Sequence, residues 1–181
     1  SPLVTILLAI PAAGFMVRIF VLFHDCSHGS FFPNQKANRI VGHILGILAF
    51  TPYGSWQHGH SVHHSTSGNL DRRTIGEVWT LTAGEFVEAP WIKRVAYRIY
   101  RNPVFMFGFA PLLLFVVKQR IPHKLDNARQ RRSVWITNAA LAAMVLISSF
   151  TIGLGTYLLI HFSIMYFAGM AGIWLFYVQH Q

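Results

Sequence analysis

The stretch LVTILLAIPAAGFMVRIFVLF at residues 3–23 is followed directly by HDCSH at residues 24–28. A helix needs about 20 apolar residues to cross a bilayer, so the first stretch is long enough to be a transmembrane helix. His24 and His28 are four positions apart, and residues with that spacing lie on one face of a helix. The segment therefore predicts a membrane helix that presents two imidazoles to a common metal ion at one membrane face.

The composition of the whole chain is that of a membrane protein. Hydrophobic residues make up 53% of the sequence, charged residues make up 12%, and the mean hydropathy is +0.42. The net charge of +9 does not indicate a nucleic-acid partner, because all Lys and Arg residues except Arg18 lie outside the long apolar runs, as in cytoplasmic loops. The single cysteine, Cys26, excludes an internal disulfide and a cysteine-rich metal site.

Three apolar segments are predicted to span the membrane, at residues 3–23, 134–150 and 152–178. Gly153 and Gly155 predict a tight turn, which makes the last two segments a helical hairpin. The predicted fold class is an all-α membrane protein, built from helical hairpins and from interfacial or re-entrant helices. We interpret residues 1–181 as a single domain that is truncated at both ends.

Three further segments are predicted to lie in the interface or to re-enter the membrane, at residues 40–51, 88–102 and 103–117. The first is too short to span. In the second, apolar residues recur at four-residue spacing with basic residues on other faces, which is typical of an amphipathic helix lying on an anionic leaflet or packed on the protein. The third has basic segments on both sides, so both of its ends are predicted to be cytoplasmic.

A second group of histidines repeats the helical spacing. His60, His63 and His64 stand at i, i+3 and i+4, and His180 follows the last apolar run. By the parity of the crossings, these four residues reach the same cytoplasmic surface as the first pair.

Six histidines exceed the three or four ligands of a single zinc site, which favours two metal ions. A zinc-peptidase motif would have Glu where Asp25 stands, and a bis-histidine haem would place its ligands deep in the helices, so iron is favoured.

Other residues near the two groups are candidates for supporting roles. Asp25 either orients a ligand histidine or caps the helix end. His58 stands two positions before the second group and should point away from it on a helix. His161 lies about 28 Å along a helix from His180, so it is predicted to be near the opposite membrane face. Trp56 is interpreted as an interfacial anchor or as a residue that lines the substrate entrance.

These motifs carry a family resemblance. HDCSH at residues 24–28 resembles the first histidine box of membrane fatty-acid desaturases, and HSVHH at residues 60–64 resembles their second box. GSFF at residues 29–32, TPY at residues 51–53 and DRR at residues 71–73 are similar to the surroundings of these boxes in bacterial acyl-lipid, omega-6-type members. The resemblance covers nearly the whole chain.

The resemblance implies an oxygen-dependent desaturation of a fatty acyl chain at a site with two non-haem iron ions. His180 would match an additional ligand that the family places before a third box, HxxHH, which this sequence lacks. The implied partners are an acyl-lipid or other fatty-acyl substrate, dioxygen, the lipid bilayer and an electron donor such as a ferredoxin or a b-type cytochrome. The implied location is a bacterial inner membrane, with the active site on the cytoplasmic side.

Two other functions fit parts of the pattern. One is a lipid, alkane or carotenoid hydroxylase or ketolase of the same histidine-rich superfamily, which product analysis would distinguish. The other is a divalent-metal transporter. A transporter needs polar or ionisable residues along a path through the bilayer, whereas Arg18 and His161 are the only Lys, Arg, His, Asp or Glu residues in the predicted spans, which otherwise hold scattered Ser and Thr residues and Asn138.

Overall fold

The computed structural model describes residues 1–72 and 78–179, and it is helical, with no strand among these residues. In chain order the helices are α1 (Pro2–His28), α2 (Gln35–Leu48), α3 (Tyr53–Thr66), α4 (Ala83–Glu88), α5 (Trp91–Tyr100), α6 (Ala110–Leu112), α7 (Ala128–Thr151) and α8 (Leu154–Gln179). Arg73 of the DRR motif and the predicted ligand His180 lie outside the described residues.

Helices α1, α7 and α8 are long and apolar enough to cross a membrane. This confirms the predicted all-helical fold class with three candidate spans. Helices α7 and α8 meet at Gly153, whose φ of 83° makes the predicted tight turn. Helix α7 begins before the apolar run that predicted it, because Asn127 and Gln130 form a capping box there. Hydropathy marks the part of a helix that lipid surrounds, whereas the cap decides where the helix begins.

The end of α1 fixes the position of the first histidine pair. Gly29 follows His28 with a φ of 70° and stops the helix. The backbone N–H of Gly29 donates to the carbonyl of Cys26, and that of Ser30 donates to the carbonyl of Asp25, each at 3.1 Å. His24 and His28 therefore occupy the last two turns of α1, where the chain leaves the apolar run.

Helices α2 and α3 form a hairpin that packs on α1. Asn34 caps α2 by accepting the backbone N–H of Lys36 at 2.8 Å. The hairpin turns at residues 49–52, where Phe50 has a φ of 55°, an uncommon value for a residue other than glycine. The contact with α1 is an aromatic core whose buried members are Phe23, Cys26 and Tyr53.

The segment Val104–Arg120 is a helix with π turns on both sides of α6, and it is bent by 61° from α5. It packs along α8. Its last residue, Arg120, bonds to Asn138 of α7. Because Asn138 lies about 15 Å along α7 from Ala128, the chain must turn back between Arg120 and Ala128.

Candidate metal centre

Four histidines from two helices come together. His24 and His28 of α1 and His60 and His64 of α3 each offer one nitrogen, and these nitrogens all lie within 4.8 Å of one another. Nε2 of His28 lies 3.2 Å from Nε2 of His24 and 3.1 Å from Nε2 of His60. Nε2 of His64 lies 3.0 Å from Nε2 of His60. We refer to these residues as the four-histidine group.

Side chains of α3 hold it in register with the end of α1. The hydroxyl of Tyr53 donates to the carbonyl of Cys26 at 2.9 Å, and Nε2 of Gln57 donates to the carbonyl of Ser27 at 2.7 Å. The last carbonyls of a helix have no partner within the helix, so they are available to such donors. The two tethers bring the i, i+4 pair of α3 against the i, i+4 pair of α1.

Asp25 contacts the outer nitrogen of His24. Its Oδ1 lies 3.2 Å from Nδ1 of His24. A carboxylate at this position accepts a hydrogen bond from Nδ1–H of the neutral imidazole, and the lone pair of Nε2 is then directed toward the other histidines. This is the arrangement by which carboxylates orient metal-binding imidazoles, and it agrees with the orienting role considered for Asp25.

The electrostatics of the group suit a bound cation. Burial, reinforced by the neighbouring imidazoles, lowers the pKa of His60 to about 3. His60 is therefore neutral near pH 7, which is the form in which imidazole binds a metal. Lone pairs directed at a common point repel one another unless a cation binds between them. Nitrogens that are each about 2.1 Å from one ion lie roughly 3 Å apart at right angles, so the observed separations fit a shared metal ion.

The donor set consists of imidazole nitrogens. Imidazole suits zinc, copper, iron and nickel, whereas magnesium and calcium prefer oxygen. The four-histidine group can therefore hold a transition-metal ion, and its chemistry fits iron as one of these metals.

Trp56 packs beneath the group. Its ring stacks on that of His60 with centroids 4.3 Å apart, and its edge meets His24 at 6.0 Å. Its ring also contacts those of Phe20 and Phe23, with centroids 5.5 and 4.9 Å away. Trp56 thus connects the imidazoles to the aromatic core between α1 and α3. Its position four residues before His60 is the signal by which sequence reasoning could have found this contact.

His63 lies outside the four-histidine group. It is buried, and its ring centroid lies 6.2 Å from that of His60 and 5.8 Å from that of His64. Phe176 of α8 contacts it at 5.5 Å. Phe176 thus brings the last turn of α8 into contact with α3 at this residue. The predicted ligand His180 follows Phe176 by four positions in the sequence. The ligand roles of His63 and His180 stay predictions.

An open cleft of about 450 Å³ gives polar access to the histidines. It is lined by His28, His60 and His64 together with Gln57, His58, Asn127 and Arg129. His58 is thus on the wall of the same cleft, although it is not a member of the four-histidine group. The N-terminal turn of α7, with its basic side chain, forms the opposite wall.

His161 lies away from this site. Its ring packs between Phe50, at a centroid distance of 4.8 Å, and Tyr157, at 5.1 Å. It contributes no nitrogen to the four-histidine group. This placement agrees with the prediction that His161 does not share the metal site.

The whole chain, residues 1–181, matches the family model described as fatty acid desaturase. It is 42% identical to a fatty acid desaturase of Bacillus subtilis (strain 168) over 180 residues, which is 99% of this chain and 51% of the relative. It is 37% identical over 101 residues to an omega-3 fatty acid desaturase of the endoplasmic reticulum from Vigna radiata, which is 55% of this chain and 26% of the relative.

A third relative is the chloroplastic sn-2 acyl-lipid omega-3 desaturase (ferredoxin) of Helianthus annuus. It is 37% identical over 92 residues, which is 50% of this chain and 20% of the relative. The chain thus spans about half the length of the bacterial relative and a smaller share of the two plant relatives. No solved structure matches it.

Proposed function

The chain belongs to the fatty acid desaturase family, and from this premise we propose that it forms part of an oxygen-dependent fatty-acyl desaturase. One hydrogen would be removed from each of two adjacent methylenes, giving a cis or trans double bond. Dioxygen would accept these two hydrogens, together with two electrons and two protons from outside, and would leave as two water molecules. The four-histidine group, with nitrogens within 4.8 Å of one another, is the observation that supports this proposal.

We propose that the histidines hold two non-haem iron ions. The four-histidine group would bind at one of them, and His63 and His180 would extend the ligand set toward the second. Bound iron would supply the activation of dioxygen, which no side chain of the chain can perform. Asp25 would keep His24 in the tautomer that offers Nε2.

The aromatic residues beneath the histidines would serve the acyl chain. Trp56, Phe20 and Phe23 form an apolar layer between the imidazoles and the interior of the helix bundle. An acyl chain that reaches the histidines from the lipid side would meet this layer, and water would be excluded there. The polar cleft on the other side would leave access for dioxygen and for protons. The substrate would be an acyl-lipid or another fatty-acyl compound.

We propose that the histidines face the cytoplasm of a bacterial inner membrane. Helix α1 would cross toward the site, α7 would cross away from it, and α8 would return. The contact between Arg120 and Asn138 supports a segment Val104–Arg120 that enters the membrane, after which the chain turns back before Ala128. The basic residues at 93–101 and 124–132 support a cytoplasmic location for the chain before Val104 and after this return.

The two electrons would come from a ferredoxin or a b-type cytochrome. The segment of residues 118–132 holds six basic residues and one acidic residue. Arg129 from this segment lines the cleft beside the histidines. A basic surface next to the site would attract an acidic electron donor and raise its rate of association at low salt. The sunflower relative is named as ferredoxin-dependent, which supports the first of these two donors.

Fatty-acid analysis tests the reaction. The complete protein is expressed in a host that lacks the product, with dioxygen and a reductant supplied. We expect an unsaturated fatty acid in cells with the wild-type protein and none in cells with His60→Ala, and the position of the new double bond identifies the substrate carbon atoms. Hydroxylated lipid as the main product would support the hydroxylase alternative, and an unchanged lipid profile with purified protein that carries zinc would contradict the proposal.

A further inference from the structure

The turn between α2 and α3 is held by a residue far away in the sequence. Phe50, at φ 55°, has a backbone carbonyl that accepts a hydrogen bond from Nη2 of Arg120. The guanidinium carbon of Arg120 also lies 6.0 Å from the centroid of the Phe50 ring. The tip of the α2–α3 hairpin and the end of the segment Val104–Arg120 therefore meet at one point.

The same guanidinium is bonded to a candidate spanning helix. Nη1 of Arg120 donates to Oδ1 of Asn138 at 3.1 Å, and Nδ2 of Asn138 donates to the carbonyl of Arg120 at 2.8 Å. One planar side chain thus joins the hairpin tip to α7. Lysine has a single compact ammonium group and cannot reproduce the two separated donors of this fork.

Arg120 has no acidic partner within ion-pair distance in the described part of the chain. Its guanidinium is held by the backbone carbonyl of Phe50 and the amide of Asn138. Arg120 is partly buried. A charge withdrawn from water without a counter-ion is costly, and in membrane proteins such residues usually serve a function. The carbonyl of Phe50 would also cost free energy if it lacked a hydrogen-bond donor, because no water can replace that donor inside a bilayer.

The hairpin tip determines where α3 begins. Helix α3 starts at Tyr53, three positions after Phe50, and it carries both His60 and His64. Its first turn is also attached to α7, because the backbone N–H of Ser55 donates to Oγ of Ser133 at 3.1 Å. A helix moves as a stiff body, so a displacement at its first turn carries over to the imidazoles of its later turns.

We propose that Arg120 is a positioning residue for the metal centre: by joining Phe50 to Asn138 it fixes the start of α3 and hence the placement of the histidines at residues 60–64. This inference rests on the metal site of the proposed function, but it does not depend on the reaction being a desaturation. Arg120 does not touch the four-histidine group and acts through the α2–α3 hairpin.

The test measures binding of Co²⁺, whose visible absorption reports ligand geometry, to the purified complete protein after iron removal. Arg120→Lys keeps the charge and loses the two separated donors, and Asn138→Leu keeps the branched side-chain shape and loses both hydrogen bonds of the amide. Lys118→Gln is the matched control, because Lys118 is exposed on the same turn and its side chain forms no hydrogen bond or ion pair with the described residues. Thermal unfolding of the metal-free proteins shows whether each variant folds.

We expect Arg120→Lys and Asn138→Leu to weaken Co²⁺ binding by about tenfold or more and to change its visible spectrum. Lys118→Gln should match the wild type in both. If Arg120→Lys does not fold, Asn138→Leu alone decides the result. Wild-type affinity and spectrum in the two variants, with or without a lower melting temperature, would overturn the inference. A wild-type protein that binds no Co²⁺ would contradict the metal centre itself and this inference with it.

Discussion

Asp25 shows how one hydrogen bond can decide whether a histidine is a useful ligand. Its carboxylate lies at Nδ1 of His24, and the opposite nitrogen faces the other imidazoles. Imidazole exists in two neutral tautomers, and only a lone pair on Nε2 could reach a shared ion from this position. In the proposed site, the motif HDCSH would therefore supply two ligands together with the group that orients the first of them.

Replacement of Asp25 should weaken the metal site without removing it. Asp25→Asn loses the negative charge and the preference for one tautomer, so we expect iron affinity or turnover to fall by about 10–100-fold. His60→Ala should abolish both iron binding and turnover. Iron per protein measures the first effect, and product per cell measures the second. Ser65→Ala is the control, because Ser65 is exposed on α3 and, among residues 1–72 and 78–179, its hydroxyl bonds only to the carbonyl of Val62. Equal iron content in Asp25→Asn and wild type would show that the carboxylate has no orienting role.

Trp56 should contribute to stability through its contacts with both the histidines and the apolar layer. Trp56→Ala removes the stacking on His60 and the contacts with Phe20 and Phe23, and we expect a loss of roughly 2–3 kcal/mol in unfolding free energy because the ring is half-buried. Trp56→Phe should lose less than half of that amount. Thermal unfolding in detergent measures the loss. If the alanine variant were as stable as the wild type, the packing beneath the histidines would not matter for folding.

The histidine spacing predicted that the four residues of the four-histidine group come together, but it also included His63, which lies outside the group, and it gave no information on how the two helices are held. The i, i+4 pairs at residues 24–28 and 60–64 follow from the geometry of a single helix. The tethers from Tyr53 and Gln57 to the end of α1 depend on tertiary packing. Trp56 was predicted as an anchor or an entrance residue, and its stacking on His60 became visible only with α3 placed against α1.

At the scale of elements, the close packing of α2 against α3 depends on small residues. Gly42 faces the Tyr53 ring so closely that a Cβ at this position would lie 2.2 Å from a ring carbon. The Tyr53 ring cannot move freely, because its hydroxyl is bonded to α1 and its ring is fully buried. The hairpin therefore tolerates no side chain at Gly42.

Gly42→Ala should separate the hairpin and lower both stability and iron retention. We expect a destabilisation of about 1–3 kcal/mol from overpacking. Gly14→Ala on α1 is the matched control, since a methyl group at Gly14 would have no atom within 4 Å outside its own helix, and this change should be neutral or slightly stabilising. The comparison uses melting temperatures in one detergent, together with iron content. If the Gly42→Ala and Gly14→Ala proteins had the same melting temperature, the result would argue against this packing.

Hydropathy predicted the three long helices, but it could not resolve the shorter elements. Residues 40–51 form the second half of α2 and the turn beyond it, a boundary set by the Asn34 cap and by the backbone at Phe50. The segment Val104–Arg120 ends at Arg120, whose guanidinium donates to the carbonyl of Phe50 and to the amide of Asn138. Hydrogen bonds between residues so far apart in the sequence produce no periodic pattern from which they could be predicted.

At the scale of the whole molecule, the proposed topology places every histidine motif on one side of the membrane. Accessibility tags inserted after Ser65 and after Leu125 should both report the cytoplasm, because the basic residues beside them favour that side. A tag after Gly153, in the turn between α7 and α8, should report the opposite side. A tag after Leu125 that reports the outside would make the segment Val104–Arg120 a full span and would refute the parity argument.

Binding of iron by the histidines of α1 and α3 through Nε2 is the basis of the proposed function. Iron X-ray absorption spectroscopy on the purified complete protein measures this most directly, because it reports the neighbours of the metal. Two irons per protein are expected, with a first shell of nitrogen and outer-shell scattering from imidazole rings, and His60→Ala should lose this iron while Ser65→Ala keeps it. Purified protein that holds zinc and no iron, or iron that His60→Ala retains with an unchanged spectrum, would contradict the account.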